Sequence, residues 1–352
     1  MCPYLSNSGA ILYEKNEEVL VMQDIIKEYL GQVKVGRKQS FKNLAVYPLL
    51  SNYSVPLDYL TLDEALSGNV LDIVEVDKDG SVPDLKVKNN SARMILILDG
   101  EELVGAKQNR IVNTTILVMA NSTLIIPVSC VEHGRWSYES TKFASQERMM
   151  SSNLRAMKSE QVHNSVRNTR EFRADQGAIW DGIAEKADRM NAPSPTGAMA
   201  GIYEKEMPTI SEYARHFKLI DSQVGAVFMI NGKVVGLDSF GKPETFSKIF
   251  KKLVQSYALD AIDWFDSDKE HKALKSPVTS FMKASQTAHV ETNPSVGQGT
   301  DCRLESNRVT GFALALDEQI LHLSVFKRTD KPNEKERVSN MRRYSTRRRN
   351  RL

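Results

Sequence analysis

The stretch that decides the fold is Met94–Tyr138, MILILDGEELVGAKQNRIVNTTILVMANSTLIIPVSCVEHGRWSY. It opens on the apolar run Met94–Leu98, too short for a membrane span and the right length for a buried strand. Asp99-Gly100 is a turn dipeptide, and the paired carboxylates Glu101 and Glu102 follow it. Gly105–Arg110 (Gly-Ala-Lys-Gln-Asn-Arg) is small or polar throughout. A second β run spans Thr114–Met119, with a turn at Ala120-Asn121-Ser122. A third runs from Thr123 to Cys130 and leads into Glu132-His133-Gly134-Arg135-Trp136. Three β-rich runs therefore carry two charged clusters at their ends.

Upstream, residues 1–12 read as a loose leader. Residues 13–32 read as an amphipathic helix, with Val19, Val21, Met22, Ile25, Ile26, Tyr29 and Leu30 at three- and four-residue steps and Gly31 as its stop. Phe41–Leu49 contains Pro48 and suits an edge or terminating strand. Tyr59–Leu66 gives a strand end and then a helical turn started by Thr61 or Asp63. Val70–Val76 and Leu85–Asn90 alternate as strands do.

Downstream, residues 141–219 read as mostly helical. Asn153–Arg173 is rich in Asn, Ser, Arg and Lys and reads as a lid-like helix pair. Ser194-Pro195-Thr196 reads as a helix start with proline at the first position. Two apolar runs, Val224–Ile230 and Lys233–Phe240, flank Asn231-Gly232, the strongest hairpin signal in the chain, because both turn positions require positive φ. Pro243–Trp264 reads as a long helix, residues 275–288 as another, and residues 302–308, 310–316 and 320–326 as strands. Helical and β regions are segregated, which favours an α+β fold with largely antiparallel sheets and a helical middle section. The expected organisation is a leader and helix over 1–35 and a single, two-lobed α+β domain over 36–328. Its lobes are 36–140 and 220–328, with a helical insert at 141–219, and a basic tail occupies 329–352.

The net charge of +3 conceals an asymmetry. Lys331–Leu352 holds nine Lys or Arg against two Glu, so the remainder is net −4. A basic surface across the core is therefore not implied. The tail has a composition that does not fold alone, and its charge suits nucleic acid or an acidic partner. No apolar run is long enough for a membrane helix, and the N-terminus lacks the pattern of a secretory signal. The cysteines, Cys2, Cys130 and Cys302, are odd in number and far apart, which points to a reducing, cytoplasmic setting. No metal-ligand spacing occurs, although carboxylates alone could carry Mg²⁺.

Glu101 and Glu132 are the candidate catalytic carboxylates. Adjacent carboxylates on a strand face opposite sides, so only one of Glu101 and Glu102 can serve a given pocket. Lys107, Arg110 and Arg135 suit phosphates. Gln108 and Asn109 suit hydroxyls or a base edge, and Trp136 suits stacking. Each has a plainer reading. Glu132 and Arg135 would be an internal salt bridge, residues 107–110 a self-bonded polar turn, and Trp136 a cap on the core. Cys130 reads as a buried small hydrophobe; as a nucleophile it would need a base such as His133. Gly297, Gly299, Asp301 and Arg303 are secondary candidates for a phosphate cradle, although a lone Gly-x-Gly is more often a turn. His322 reads as a packed histidine and Asp238 as an exposed acid.

Asp99–Arg110, with Val128-Ser129-Cys130-Val131-Glu132 and Gly134-Arg135-Trp136, resembles the ARG and rhodanese-phosphatase-superfamily-associated protein domain family. Tyr59–Glu64, Gln223-Val224-Gly225, Gly232-Lys233 and His322-Leu323 with Phe326 continue the resemblance over most of residues 36–327. The family is named for its genomic company with ADP-ribosylglycohydrolases. Through that company the resemblance implies a small nucleotide-like partner related to NAD or ADP-ribose, either bound only or also processed by hydrolysis or transfer. A cofactor is not specified. The competing readings are a non-catalytic module, in which Glu101 and Arg110 face each other, and a nucleic-acid-associated protein acting through residues 331–352.

Overall fold

Met94–Tyr138 folds into strands of two different sheets. A computed structural model describes residues 7–267 and 272–328. Met94–Ile97 pairs antiparallel with Ile116–Val118 and parallel with Tyr59–Thr61, forming a three-stranded sheet. Glu101–Gly105, Arg110–Val112 and Ser122–Cys130 belong to a six-stranded antiparallel sheet. Its order is Phe143–Met149, Glu101–Gly105, Arg110–Val112, Ser122–Cys130, Asp84–Asn89, Leu71–Glu75. Gly100, at φ 78°, turns the chain from one sheet into the other. Added there, a Cβ would sit 3.0 Å from the Arg155 side chain, so glycine serves both the positive φ and the close approach.

The third sheet has nine strands among the described residues. Its order is Lys34–Val35, Leu44–Leu50, Gln223–Ile230, Lys233–Phe240, Gln319–Lys327, Val309–Leu316, Thr300–Glu305, His289–Pro294, with Gln39–Phe41 also on Leu44–Leu50. The Asn231-Gly232 turn has both residues at positive φ, 51° and 74°. The helices are α1 (Asn7–Gln32), α2 (Leu62–Ser67), α3 (Ser152–Thr169), α4 (Gln176–Arg189), α5 (Met199–Arg215), α6 (Pro243–Asp263) and α7 (Lys275–Gln286). The fold is α+β with mostly antiparallel sheets. None of the described helices is long and apolar enough to cross a membrane.

Alternation along one strand shows how the large sheet is covered. Val227 and Met229 face a core shared with Ile26 and Leu30 of α1 and Val278 and Phe281 of α7. Ala226 and Phe228 face the opposite core, under Phe246, Leu253 and Tyr257 of α6. This is the period of two that a strand buried on both faces requires. A third core lies between the two smaller sheets, where Ile95 and Ile97 meet Leu85, Leu103 and Val128. A fourth packs α3, α4 and α5 together through Leu154, Ile183 and Tyr203. Thr61 caps α2 through a complete capping box with Glu64.

Several local expectations change. α1 starts at Asn7 and contains Gly31; residues 1–6 lie outside the described residues, as does the tail from residue 329. Pro48 lies in an interior strand. Leu44–Leu50 pairs with Gln223–Ile230 on one side and with two short strands on the other. Those short strands reach Leu49-Leu50 and Leu44-Ala45-Val46, so Pro48 falls in the gap between them. Its missing N–H costs no ladder bond, and its carbonyl still accepts Gly36 N–H at 2.8 Å. Phe143–Met149 is a strand on Glu101–Gly105, with a shifted register before Met149. The polar stretch from residue 153 is not a lid-like pair. It is mostly α3, whose buried face includes Arg155, Lys158 and His163. Ser194 Oγ accepts Ala198 N–H, so Ser194–Thr196 is a turn and α5 begins at Met199.

Candidate functional site

The Asp99-Gly100-Glu101-Glu102 string distributes its carboxylates onto buried cations. Asp99 pairs with Lys158 and, at 3.5 Å, with Arg155. Glu101 takes the Lys252 ammonium at 2.6 Å and the Leu98 N–H at 2.8 Å. Glu102 meets Arg148 Nε at 3.1 Å. Glu101 and Glu102 are both buried, on opposite sides of the strand. Arg155 carries on to Asp238, donating from Nη2 at 2.7 Å and Nη1 at 3.2 Å. Asp238 also accepts from Ser324 Oγ (2.8 Å) and Tyr257 OH (2.9 Å).

This is a charge network inside the protein. Burial alone would push the Asp238 carboxyl up, but Arg155 and His322 outweigh it and hold it far below the usual carboxylate range. Burial lifts Glu102 to about 7, which Arg148 only partly opposes and which Glu204 and Glu132 reinforce. Neither Glu102 oxygen makes a hydrogen bond. His322 lies fully buried, stacked on Phe240 at 4.5 Å, with Nδ1 2.8 Å from Thr115 Oγ1 and Nε2 3.6 Å from Asp238. It is packed, as its alternation with leucines suggests. Asp238, expected at the surface, is buried instead because Arg155 of α3 reaches it.

The second cluster forms where Arg110–Val112 pairs with Ser122–Cys130 and the chain then turns over that strand end. Arg110 stands opposite Cys130 in the register. Glu132 Oε2 receives Arg135 Nη2 at 2.6 Å and the Asn109 N–H at 3.1 Å, while Oε1 receives Thr196 Oγ1 at 2.8 Å. Arg135 also bonds the Ala106 carbonyl (2.7 Å), the Ser137 carbonyl (3.1 Å) and Asn109 Oδ1 (3.1 Å). Gln108 bridges, donating to the Glu132 carbonyl and accepting from Arg110 Nη1 at 3.1 Å. Residues 106–110 and 132–139 are thereby fastened into one unit.

Above this unit stand two exposed rings, Trp136 (48%) and Tyr138 (52%). The Lys107 ammonium lies 5.1 Å from each ring centroid and also holds the Asp79 carbonyl. The Arg110 guanidinium lies 5.7 Å from the Trp136 centroid. Arg110 is fully buried, and its Nε and Nη2 make no hydrogen bond. Its carboxylate neighbour is Glu75 at 4.0 Å, whose Oε2 is also without a hydrogen bond. Glu101 and Arg110 do not pair; Glu101 is committed to Lys252 of α6. Trp136 is too exposed to cap a core, and Glu132 with Arg135 is a buried salt bridge.

Other candidates have settled partners. Cys130 is buried, its thiol pushed up by that burial, and His133 packs edge-on against Trp180 at 4.4 Å. A Cβ on Gly297 would lie 2.2 Å from the Leu117 carbonyl, and one on Gly299 2.1 Å from that of Ala315. The N–H of Gln298 is taken by Leu117 at 2.8 Å. This loop therefore lets the three-stranded and nine-stranded sheets touch. Asp301 and Arg303 pair with each other at 2.7 and 2.8 Å and share Thr114. No group of three or more His, Cys, Asp or Glu among the described residues is placed to hold a metal ion.

Sequence reasoning missed Glu75 and Tyr138 in the exposed cluster, and Arg155, Lys158 and Lys252 in the buried one. Glu75 closes a strand two positions in sequence from Ile73, a core residue, so its period-two placement was the available signal. For Arg155 and Lys158 the signal was helical spacing with Leu154 and Val162.

The family model for the ARG and Rhodanese-Phosphatase-superfamily-associated Protein domain matches residues 32–326, and the chain belongs to that family. No curated protein and no solved structure matches it.

Proposed function

We propose that this family member binds a phosphate-bearing nucleotide of the NAD or ADP-ribose class on the face formed by Lys107, Arg110, Trp136 and Tyr138. One observation carries the reading. A fully buried guanidinium, 4.0 Å from Glu75, keeps Nε and Nη2 without a hydrogen bond directly beneath a half-exposed indole. A buried donor left unmet costs on the order of 1–3 kcal/mol, so an acceptor group arriving there is favoured. Trp136 and Tyr138 offer flat faces for a base, in the manner of aromatic stacking sites. Lys107 and Arg110 offer charge to phosphates, and the free Glu75 oxygen offers an acceptor to ribose hydroxyls. Gln108, Asn109, Glu132 and Arg135 position the loop. Glu101 acts at a distance, by fixing the preceding strand to α6.

The test is a thermal-shift screen against ADP-ribose, NAD, AMP and inorganic phosphate. A ligand at 100-fold excess over its Kd adds about 2.7 kcal/mol, which is a rise of several degrees for a chain of this size. The expected result is a rise with ADP-ribose that disappears in Trp136→Ala and in Lys107→Ala. Trp136 is half-exposed, so Trp136→Ala should leave the unliganded midpoint nearly unchanged. Lys107 is buried on the Asp79 carbonyl, so the response of Lys107→Ala is read against that variant's own unliganded midpoint. A flat response to every nucleotide would remove the reading.

A further inference from the structure

The connection between Leu71–Glu75 and Asp84–Asn89 passes over the face formed by Lys107, Arg110, Trp136 and Tyr138. Its sequence, Val76-Asp77-Lys78-Asp79-Gly80-Ser81-Val82-Pro83, is polar and turn-forming at its centre. Both ends are fastened firmly. The Val76 carbonyl accepts the Lys86 ammonium at 3.0 Å. The Pro83 carbonyl accepts the Val128 N–H at 2.9 Å and Arg173 Nη1 at 2.6 Å. The centre is held differently. Among the described residues, two hydrogen bonds join 77–80 to the rest of the protein. Lys107 donates to the Asp79 carbonyl, and the Tyr138 hydroxyl donates to the Lys78 carbonyl at 3.3 Å. Both donors belong to the face itself.

Gly80 lets the backbone come this close. Its φ is 77°, and a Cβ there would lie 3.0 Å from Lys107 Cδ and 3.4 Å from Glu75 Oε2. Its N–H donates to Asp77 Oδ1 at 2.8 Å, which closes the turn on itself. Asp77, Lys78 and Asp79 are exposed, so no burial of their side chains holds the centre down.

We propose that residues 77–80 are a strap that occupies the nucleotide site of the ligand-free protein, and that a ligand must lift it off Lys107 to bind. This rests on the nucleotide reading of that face. The Asp79 carbonyl stands in for a phosphate oxygen on Lys107, and Gly80 lies against the Glu75 oxygen which that reading assigns to a ribose hydroxyl. A phosphate oxygen is charged and accepts from an ammonium more strongly than a neutral carbonyl does, so it can take Lys107 over. The ends stay anchored while the centre leaves. Apparent affinity is then reduced by the fraction of molecules in which the strap is open.

The test is a calorimetric titration of ADP-ribose into the wild-type protein, Gly80→Ala and Asp77→Ala. Alanine at position 80 strains the closed strap twice, through its positive φ and through its contact with Lys107. Asp77→Ala removes the bond that shapes the turn. Both variants should bind ADP-ribose more tightly than the wild type. For Gly80→Ala the gain should be about fivefold or more, the factor to which the strain of a left-handed L residue converts. Trypsin cleavage after Lys78 should be faster with ADP-ribose bound than without it. Unchanged or weaker binding in both variants, or slower cleavage after Lys78 in the complex, would overturn the strap and leave the nucleotide reading in place. Absence of binding in all three proteins would instead remove the nucleotide reading, and the strap's role with it.

Discussion

Asp238→Ala should cost about 3–5 kcal/mol, the range for removing one partner of a buried ion pair. That is a large part of the 5–15 kcal/mol by which native proteins are ordinarily stable. The reason is Arg155, which is fully buried and gives two hydrogen bonds to Asp238. Without Asp238 its one remaining carboxylate contact is the 3.5 Å approach to Asp99, already held by Lys158, beside a neutral hydrogen bond to Ser324 Oγ at 3.2 Å. Guanidinium unfolding followed by circular dichroism measures the change. A loss below about 1 kcal/mol would mean that Arg155 finds water or another carboxylate. The pH dependence has a definite sign. Asp238 is depressed in the folded state, so its contribution is complete above the ordinary aspartate range near pH 4 and is lost as pH falls below it.

Glu102→Gln should have the opposite character and stabilise the protein at alkaline pH. Glu102 is raised from 4.5 to about 7, mainly by burial. Its folded form therefore resists ionisation, and wild-type stability declines as pH rises from about 4.5 to about 7. A shift of this size corresponds to about 2–4 kcal/mol above pH 7, less whatever Arg148 loses when its charged neighbour goes. Urea midpoints at pH 5 and pH 8 check this. The two proteins should nearly coincide at pH 5 and separate at pH 8, with the variant the more stable. Parallel pH profiles would show that Glu102 is ionised throughout and properly paired.

Local chemistry decided which parts of the fold could be read in advance. Asn231-Gly232 was legible because few dipeptides accept positive φ twice, and the start of α2 was narrowed to Thr61 or Asp63, between which the capping box with Glu64 decides for Thr61. Pro48 was misleading. Its place in an interior strand depends on a gap between two short partner strands that its own sequence does not encode. Phe143–Met149 (Phe-Ala-Ser-Gln-Glu-Arg-Met) has neither a strand nor a helix period, and it is a strand because Glu101–Gly105 offers it an edge.

The same division runs through the site. Glu132, Arg135, Gln108, Asn109 and Arg110 meet because they cluster at the ends of paired strands, and both clusters were visible as charge following apolar runs. Glu75 reaches Arg110 from a strand 35 positions earlier and carries no local mark. Asp238 looked like a surface acid because its partner, Arg155, lies 83 residues away. α3 looked like a lid because polar side chains were taken to face water, when Arg155 and Lys158 are buried against Asp99.

The most direct measurement of the nucleotide-binding account is a calorimetric titration of ADP-ribose into the wild-type protein and into Arg110→Gln, with melting curves to show that both are folded. The account predicts one saturable site in the wild type. It predicts binding at least tenfold weaker in the variant, the loss of about 1.5–3 kcal/mol that a hydrogen bond to a charged group carries. Binding of equal strength in both proteins, or no heat from ADP-ribose in either, would contradict it.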